Sequence, residues 1–378
     1  MSSAPAISGP WRRRGRAALL FALLDLAAFN AYQVIKSPNP YPDFACFYAV
    51  AKAGATLGYS RMYDPAVQQQ WVQQMFPGSP CVVVNPPPFA WLLAPLTALP
   101  YGLALWIWTV ALIAAVVVAS QVVAPRDLYL RVVYLASWLA FLPAYLIFIS
   151  APLGPLVVLS LALTWKFIRD DRPVLAGAIL AVGLLKPTLS ILVPLALLAA
   201  GHRRTFIAWL VVAIAAVGTS LIVLGPAGIT AYVSLSASLA ADPYYLRWSL
   251  VPLLGSGAPW LAAAAAITIA TALIAWATRW RGVEVTIAVG VMGSVLINHH
   301  MTPGDLLLLL IPIWLLARAR GSMVRDAGLA AAWVGGWLSL IFPVLAVVVA
   351  AAVPLGVALE GALKNPSGDR PAETVWSG

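Results

Sequence analysis

A carboxylate, a pair of adjacent histidines and two cations are the side chains of this sequence best suited to chemistry. Asp43 is the second residue of PDFACFYAV, just after the first long apolar run, and His299 and His300 lie in NHHMTPGD. Lys186 ends an apolar run in GLLKPTL, and Arg247 follows a pair of tyrosines. A carboxylate can take the proton of a hydroxyl, and a nearby Lys, Arg or His can stabilise charge on a phosphate leaving group.

Other interpretations compete for several of these residues. Asp64 and Asp305 stand where helix N-caps are expected, Asp242 stands at a turn or cap, and Asp43 itself follows a proline and could cap a helix. A lysine at a membrane boundary often only extends its amine to the surface. Metal binding by the histidine pair is weakly supported, because adjacent residues on a helix point about 100° apart and no third ligand is evident. We therefore predict no metal and no cofactor.

The composition excludes a soluble fold. Of 378 residues, 62% are hydrophobic and only 10% are charged, against about 25% in a typical soluble domain. We predict an all-α polytopic membrane protein, because helices satisfy every backbone hydrogen bond inside a bilayer. The net charge of +10 is attributed to basic turns on one face of the membrane. The expected partner is therefore the lipid bilayer, with no nucleic acid.

Apolar runs that could cross the membrane follow one another along the chain. At about 1.5 Å per residue across about 30 Å of hydrocarbon, they predict a single transmembrane domain over 17–361, with about 12 helices. The predicted spans are 17–36, 102–123, 129–148, 153–168, 173–185, 188–200, 204–224, 257–278, 283–297, 304–318, and either two short spans or one long bent helix over 327–361. The run 88–100 is short and rich in proline, and we expect a half-membrane or interfacial element there.

Basic residues assign the two faces of the membrane. Most of them fall in turns that alternate to one side, which the positive-inside rule places in the cytoplasm. The basic segment 1–16 is then a cytoplasmic N-terminus before a retained first span, and 362–378 is a polar tail. The abundance of Arg, Ala, Gly and Pro favours a bacterial protein, for which the plasma membrane is the expected location.

Two extracytoplasmic segments, 37–87 and 226–256, contain the remaining candidates. We predict a helix over 43–57, and an amphipathic helix in the membrane interface that begins at Asp64-Pro65. The second segment suits an aromatic lid at the membrane surface. Four aromatic residues are candidates for an acceptor site or its lid: Tyr48, Tyr244, Tyr245 and Trp248.

The chain has two cysteines, Cys46 and Cys81, both in the first of these segments. An extracytoplasmic position permits a disulfide between them. Two small buried thiols are the simpler alternative.

Four segments together carry a resemblance to a known family. They are Asp43-Phe44 with the later YDP (63–65), NPPPF…APLTALP (85–100), GLLKPTLSILVPLALL (183–198) and NHHMTPGDLLLLLIP (298–312). In this order they resemble glycosyltransferase family 87, polyprenyl-phosphate-sugar-dependent enzymes of the GT-C fold. The resemblance spreads over about residues 17–320.

The resemblance implies an inverting transfer of a sugar, typically mannose, from a polyprenyl-phosphate donor to a lipid or glycan acceptor. Asp43 would be the general base on the acceptor hydroxyl, and His299 or His300 would assist at the acceptor or at the donor phosphate. Lys186 and Arg247 are the candidate donor-phosphate contacts. The turn ISAPLGP (149–155) lacks the Gln or Asn that often occurs there in the family, which leaves the donor sugar open.

Two other functions remain as alternatives. A transporter or flippase would use Asp25, Asn30 and the broken spans as a pathway, although such proteins carry more polar groups at the midplane and some repeat symmetry. An inactive assembly partner could share the scaffold. The polar groups cluster at the outer rim, and there is neither a DxD-type motif nor a glycine-rich nucleotide loop. The clustering at the rim favours an enzyme over a transporter. The absence of those two motifs favours a lipid-linked donor over a nucleotide sugar.

Overall fold

The computed structural model of the chain describes residues 10–36, 43–79, 82–240, 242–318 and 323–364, and in these ranges it is helical with no strand. The all-α prediction is confirmed. The first nine helices are α1 (Pro10–Lys36), α2 (Asp43–Leu57), α3 (Pro65–Met75), α4 (Pro88–Leu93), α5 (Tyr101–Val123), α6 (Leu128–Leu139), α7 (Leu146–Ile149), α8 (Gly154–Arg169) and α9 (Pro173–Leu180). The others are α10 (Leu192–Ala199), α11 (Arg203–Ala240), α12 (Pro243–Leu246), α13 (Val251–Leu254), α14 (Ala258–Ala277), α15 (Val283–Ile297), α16 (Leu310–Ala317), α17 (Met323–Leu338) and α18 (Val344–Lys364).

Four of the described helices are long and apolar enough to cross a membrane: Arg14–Lys36 within α1, α5, α11 and α14. A fifth span forms if α6 and the bent segment Leu142–Ile149 count as one, with a 72° bend between them. The bend falls at a proline in a 3₁₀ turn, where a regular helix cannot continue. Several other apolar helices are shorter, so the count of about 12 spans stays a prediction.

Three further predicted spans are part 3₁₀ and part α-helix. The 3₁₀ segments are Ala181–Leu185, Pro187–Leu189 and Pro303–Leu309, next to α9, α10 and α16 respectively. Proline and glycine recur at these junctions, and they interrupt the regular hydrogen-bond ladder of an α-helix. The run 88–100 is likewise a short helix, α4, followed by the 3₁₀ segment Ala94–Ala98. The final apolar stretch forms two helices, α17 and α18, rather than one.

The described part of the segment 37–87, which is predicted to be extracytoplasmic, is packed into the protein. α2 occupies residues 43–57 as predicted, and most of its side chains are buried. The predicted cap is present, because Asp64 Oδ1 accepts a hydrogen bond from the Ala66 N–H at 2.9 Å. Val67 and Val72 of α3 are buried, and α3 packs against α2. The apolar face of α3 is therefore covered by protein, and the position of this helix in the membrane interface stays a prediction.

The segment 226–256, also predicted to be extracytoplasmic, differs from the predicted surface lid over its first half. α11 continues to Ala240, with a break at Gly225, whose φ of 60° lies in the region that favours glycine. Pro226 follows, and a Cβ at Gly228 would lie 2.8 Å from the Ser60 carbonyl oxygen, so this half of α11 rests on the first segment. Only the short helices α12 and α13 remain for a lid.

Two polar residues of α1 have different surroundings. Asn30 is buried and donates from Nδ2 to the Leu139 carbonyl at 2.8 Å. Asp25 is exposed on the outer surface of the helix. Neither residue lines the cavity described below, so they do not continue that cavity into a pathway through the protein.

Candidate active site

A cavity of about 310 Å³ forms where four distant stretches of the chain meet. It is bordered by the start of α2, by residues 82–86, by the turn after Leu185 and by the turn between α15 and the 3₁₀ segment Pro303–Leu309. Tyr232 and Ser236 of α11 add a further wall. The candidate residues that line it are Asp43, Lys186, Tyr245, His299 and His300.

Asp43 is the first residue of α2 and is half-buried at the edge of the cavity. The next residue, Phe44, donates its backbone N–H to the Ser150 carbonyl at 3.2 Å. Trp108 holds the same turn through a 3.0 Å hydrogen bond from Nε1 to the Ala151 carbonyl. Burial raises the pKa of Asp43 to about 6, with the Lys186 charge opposing the rise and the Asp305 charge adding to it. Asp43 is thus a base suited to neutral pH.

Lys186 forms an ion pair that bridges two parts of the chain. Its Nζ lies 2.7 Å from both carboxylate oxygens of Asp305, and that carboxylate is fully buried. The backbone N–H and the hydroxyl of Thr302 also donate to Asp305 Oδ2, at 2.7 and 2.9 Å. The Lys186 side chain remains 15% exposed, towards the cavity that it lines. Its ammonium has three hydrogens, so it can bind an anion there without leaving Asp305.

The rings of the two histidines contact different aromatic residues. His300 stacks on Tyr245, with ring centroids 4.0 Å apart, while His299 meets Trp260 edge to face at 5.2 Å. The His300 backbone N–H donates to Asn298 Oδ1 at 2.9 Å. Burial lowers the pKa of both imidazoles, and with the added effect of the Lys186 charge the pKa of His300 falls to about 4. At neutral pH both rings are neutral.

Two glycines let the turns around the site approach closely. A Cβ at Gly154 would lie 3.2 Å from the Gly304 carbonyl oxygen, and a Cβ at Gly304 would lie 2.8 Å from Pro152. The turn that binds the start of α2 therefore packs directly on the turn that carries Asp305. Ala151, in the first of these turns, has a φ of 50°, which is unusual for a residue with a side chain.

The segment before α4 fixes the opposite side of the cavity. Asn85 donates from Nδ2 to the Leu185 carbonyl at 3.2 Å, next to Lys186, and its own carbonyl accepts from the Tyr63 hydroxyl. Cys46, which also lines the cavity, is disulfide-bonded. The other cysteine of the chain, Cys81, lies outside the described residues.

Four sequence candidates lie away from the cavity lining. Tyr48 is buried and donates to the Leu99 carbonyl at 2.8 Å, and Trp248 is buried and donates to the Ser339 carbonyl at 2.9 Å. Both side chains hold helices together. Tyr244 and Arg247 are exposed, with the guanidinium 5.4 Å from the tyrosine ring centre. Partial burial raises the pKa of Tyr244, and the Asp43 charge adds to this rise.

Sequence reasoning missed Asp305 and Asn85 as site residues. Asp305 fits the predicted cap position, since it accepts the Thr302 N–H, but its carboxylate also binds a lysine 119 residues away. No local pattern reports such a contact. Asn85 lies in the segment NPPPF, and its amide side chain next to three prolines was the feature that could have indicated it.

The cavity brings together a carboxylate, two neutral imidazoles and one lysine in a largely apolar helical protein. Within the described residues, no group of three or more His, Cys, Asp or Glu side chains could hold a metal ion. Groups of these types in one cavity could accept a proton and bind an anion.

The chain belongs to glycosyltransferase family 87, whose family model matches residues 84–301, more than half of its length. The protein is therefore a membrane glycosyltransferase, with a sugar donor and an acceptor as substrates. The matched range includes Lys186, Tyr245, His299 and His300, whereas Asp43 and Asp305 lie outside it. No curated protein and no solved structure matches the chain.

Proposed function

We propose that the protein transfers a sugar, with inversion, from a polyprenyl-phosphate donor to a hydroxyl of a lipid or glycan acceptor at the extracytoplasmic face of a bacterial plasma membrane. The observation that carries the proposal is the shared cavity of Asp43, Lys186 and the His299–His300 turn. Mannose is the sugar that the family resemblance favours.

Asp43 is the general base of this proposal. As the acceptor oxygen attacks the anomeric carbon, its proton passes to the Asp43 carboxylate and the carbon–oxygen bond to the phosphate breaks. A carboxylate with a pKa of about 6 is ionised at neutral pH and is more basic than an ordinary aspartate. Because the attack comes from the face opposite the phosphate, the anomeric configuration inverts.

Lys186 stabilises the departing polyprenyl phosphate. Its cation faces the cavity while Asp305 fixes its position, so the charge is in place before the bond breaks. The leaving phosphate is a stable anion and needs no proton from the protein. Arg247, exposed above Tyr244, contacts the phosphate only if the short helices α12 and α13 move towards the cavity.

His300 acts as a neutral group. With a pKa lowered to about 4, its imidazole donates or accepts hydrogen bonds but carries no charge at neutral pH. Its stacking on Tyr245 fixes the ring plane at the cavity wall. We assign it the orientation of the acceptor hydroxyl or of a donor oxygen, and leave the charge stabilisation to Lys186.

The test compares membranes that contain wild-type protein, Asp43→Asn or Asp64→Asn, supplied with radiolabelled polyprenyl-phosphate-mannose and total lipid acceptors. Asp64→Asn is the matched control, because asparagine is also a good N-cap and residue 64 does not line the cavity. We expect Asp43→Asn to lose roughly 10²–10⁴-fold of the transfer rate at equal expression, and Asp64→Asn to keep it.

Full activity in Asp43→Asn would remove the base assignment. Transfer from polyprenyl-phosphate-arabinose but not from the mannose donor would change the sugar and keep the mechanism. Absence of transfer from every polyprenyl-phosphate donor would favour a flippase or an inactive assembly partner.

A further inference from the structure

A second cavity lies at the end of α5 that is farther from the candidate site. α5 begins beside that site, where Tyr101 stacks on Phe44 at 6.0 Å between ring centres, and it ends at Val123. Its 23 residues span about 34 Å, roughly the thickness of a bilayer core. The second cavity, of about 830 Å³, is bordered by the ends of α5 and α8, by the start of α6 and by Arg318 after α16.

This cavity has an excess of positive charge. Its lining contains five cations and one carboxylate: Arg126, Arg131, Lys166, Arg169, Arg318 and Asp170. Asp170 pairs with Lys166 at 2.5 Å, and Arg169 pairs with Glu284 at 2.8 Å. Arg126 and Arg131 are exposed, and neither forms an ion pair with any residue that the structure describes. An anion is therefore the ligand that would complete the site.

A tryptophan positions two of the cations. Trp165 is buried, and the guanidinium carbons of Arg318 and Arg169 lie 4.6 and 5.5 Å from its ring centre. Arg318 also donates from Nη1 to the Val123 carbonyl at the end of α5. Cation–π contacts and this hydrogen bond hold the guanidinium groups in fixed places. A cluster fixed in this way loses little side-chain freedom when it binds a phosphate.

An apolar wall continues from the cations. Val117, Val118 and Val122 of α5 also line the cavity, and Val118 is 45% exposed. A soluble phosphate would leave these side chains uncovered. A molecule with a phosphate at one end and hydrocarbon at the other would fill both parts.

We propose that this cavity binds the phosphate headgroup of an anionic phospholipid, with its acyl chains along the valine side of α5. Phosphate is the shared chemistry of a lipid and a free anion, and the valine wall selects the lipid. Basic pockets between membrane helices on the cytoplasmic side are suited to such headgroups. The site is separate from the transferase cavity and does not depend on the identity of the donor.

The experiment uses the purified full chain in detergent. Binding is measured by native mass spectrometry and by the shift in melting temperature on adding phosphatidylglycerol, phosphatidylcholine or inorganic phosphate. We expect phosphatidylglycerol to bind and to raise the melting temperature, with little effect of the other two. Arg126→Gln/Arg131→Gln should weaken phosphatidylglycerol binding by tenfold or more, because each basic residue near an anionic headgroup contributes about fivefold.

Arg203→Gln/Arg204→Gln is the matched control, since both arginines are exposed and do not line the cavity. This variant should keep wild-type lipid binding. Equal loss in both double variants, or equal binding of phosphatidylcholine, would overturn the proposal. Binding of inorganic phosphate as tight as that of phosphatidylglycerol would overturn the lipid assignment and leave a soluble anion as the ligand. Gel filtration verifies that each variant is folded.

Discussion

At the scale of single residues, the two carboxylates at the site, Asp43 and Asp305, have different surroundings. Asp43 and Asp305 are both acidic, but Asp305 is fully buried and paired with Lys186, whereas Asp43 has no such partner among the described residues and has a raised pKa. One carboxylate thus positions a cation, and the other remains available for proton transfer. Divergent environments of this kind mark the separate roles of two acids in one site.

The raised pKa of Asp43 predicts how the transfer activity depends on pH. Because the base acts when ionised, kcat/KM should fall about tenfold per unit as pH drops below about 6, and should be level above it.

The raised pKa also means that the folded state binds the proton more tightly than the unfolded chain. Ionised Asp43 therefore costs stability above pH 6, and this cost disappears below the unfolded value of 3.8.

Asp43→Asn should accordingly be inactive yet more stable, by about 1–3 kcal/mol at pH 7.5 and with no gain at pH 3.5. Thermal melting at both pH values checks this. A variant that is less stable at pH 7.5 would contradict the raised pKa.

The Lys186–Asp305 pair has a structural role and a proposed chemical role, which variants can separate. Lys186→Met leaves a buried carboxylate without its partner and should cost about 3–5 kcal/mol. Lys186→Met/Asp305→Asn removes both charges and should recover most of that stability. If the lysine also binds the donor phosphate, the double variant stays inactive although it is folded.

Melting temperature and transfer rate, measured on the same samples, distinguish the two roles. Recovery of activity together with stability in the double variant would show that Lys186 is needed only for the fold.

At the scale of helices and turns, the sequence predicted features that neighbouring residues determine, but not those that long-range packing determines. The bounds of α2 and the cap at Asp64 followed from the sequence because neighbouring residues determine them. The 3₁₀ segments beside Lys186 and Asp305 did not, since tertiary packing sets the end of each helix there. The continuation of α11 past Gly225 was also missed, because Gly-Pro is usually a helix boundary.

Packing of α9 on α11 gives a prediction at this scale. A Cβ at Gly177 would lie 2.7 Å from Ala208 Cβ and from the Trp209 backbone nitrogen. Gly177→Ala should therefore separate the two helices and cost about 1–3 kcal/mol. It should also raise the KM for donor, because α9 leads directly into the 3₁₀ segment that ends at Leu185, the residue before Lys186.

The control is Gly218→Ala on α11, where an added Cβ meets nothing within 4 Å. This change should be neutral or stabilising by up to about 1 kcal/mol. The melting temperature and the KM for donor are measured for both variants. Similar melting temperatures would argue against close packing at Gly177.

At the scale of the whole molecule, the two cavities stand at opposite ends of the bundle. The fold class and the membrane character were predictable from composition, because so much apolar surface has no other place to be buried. The meeting of four distant stretches around Asp43 was not, because no periodicity encodes contacts over a hundred residues. The family resemblance supplied the order of the motifs but not their distances.

The sidedness of the chain is testable with single cysteines at the two ends. Gln70 is exposed on α3, the helix that packs against α2, and Arg203 is exposed at the start of α11. About 35 Å of α11 separates Arg203 from the part that touches Ser60. In intact cells, Gln70→Cys should react with a membrane-impermeant maleimide, and Arg203→Cys should react only after permeabilisation. Labelling of both in intact cells would contradict the topology.

The position of α11 has a kinetic consequence. The helix forms a wall of the cavity through Tyr232 and Ser236, while Val233 and Ile222 of the same helix are 59% and 83% exposed on its apolar side. If the donor is lipid-linked, as proposed, it can arrive by lateral diffusion without leaving the bilayer. The quantity that saturates the enzyme is then the mole fraction of donor in the membrane, so diluting the membrane with inert lipid slows turnover even when the bulk donor concentration is unchanged.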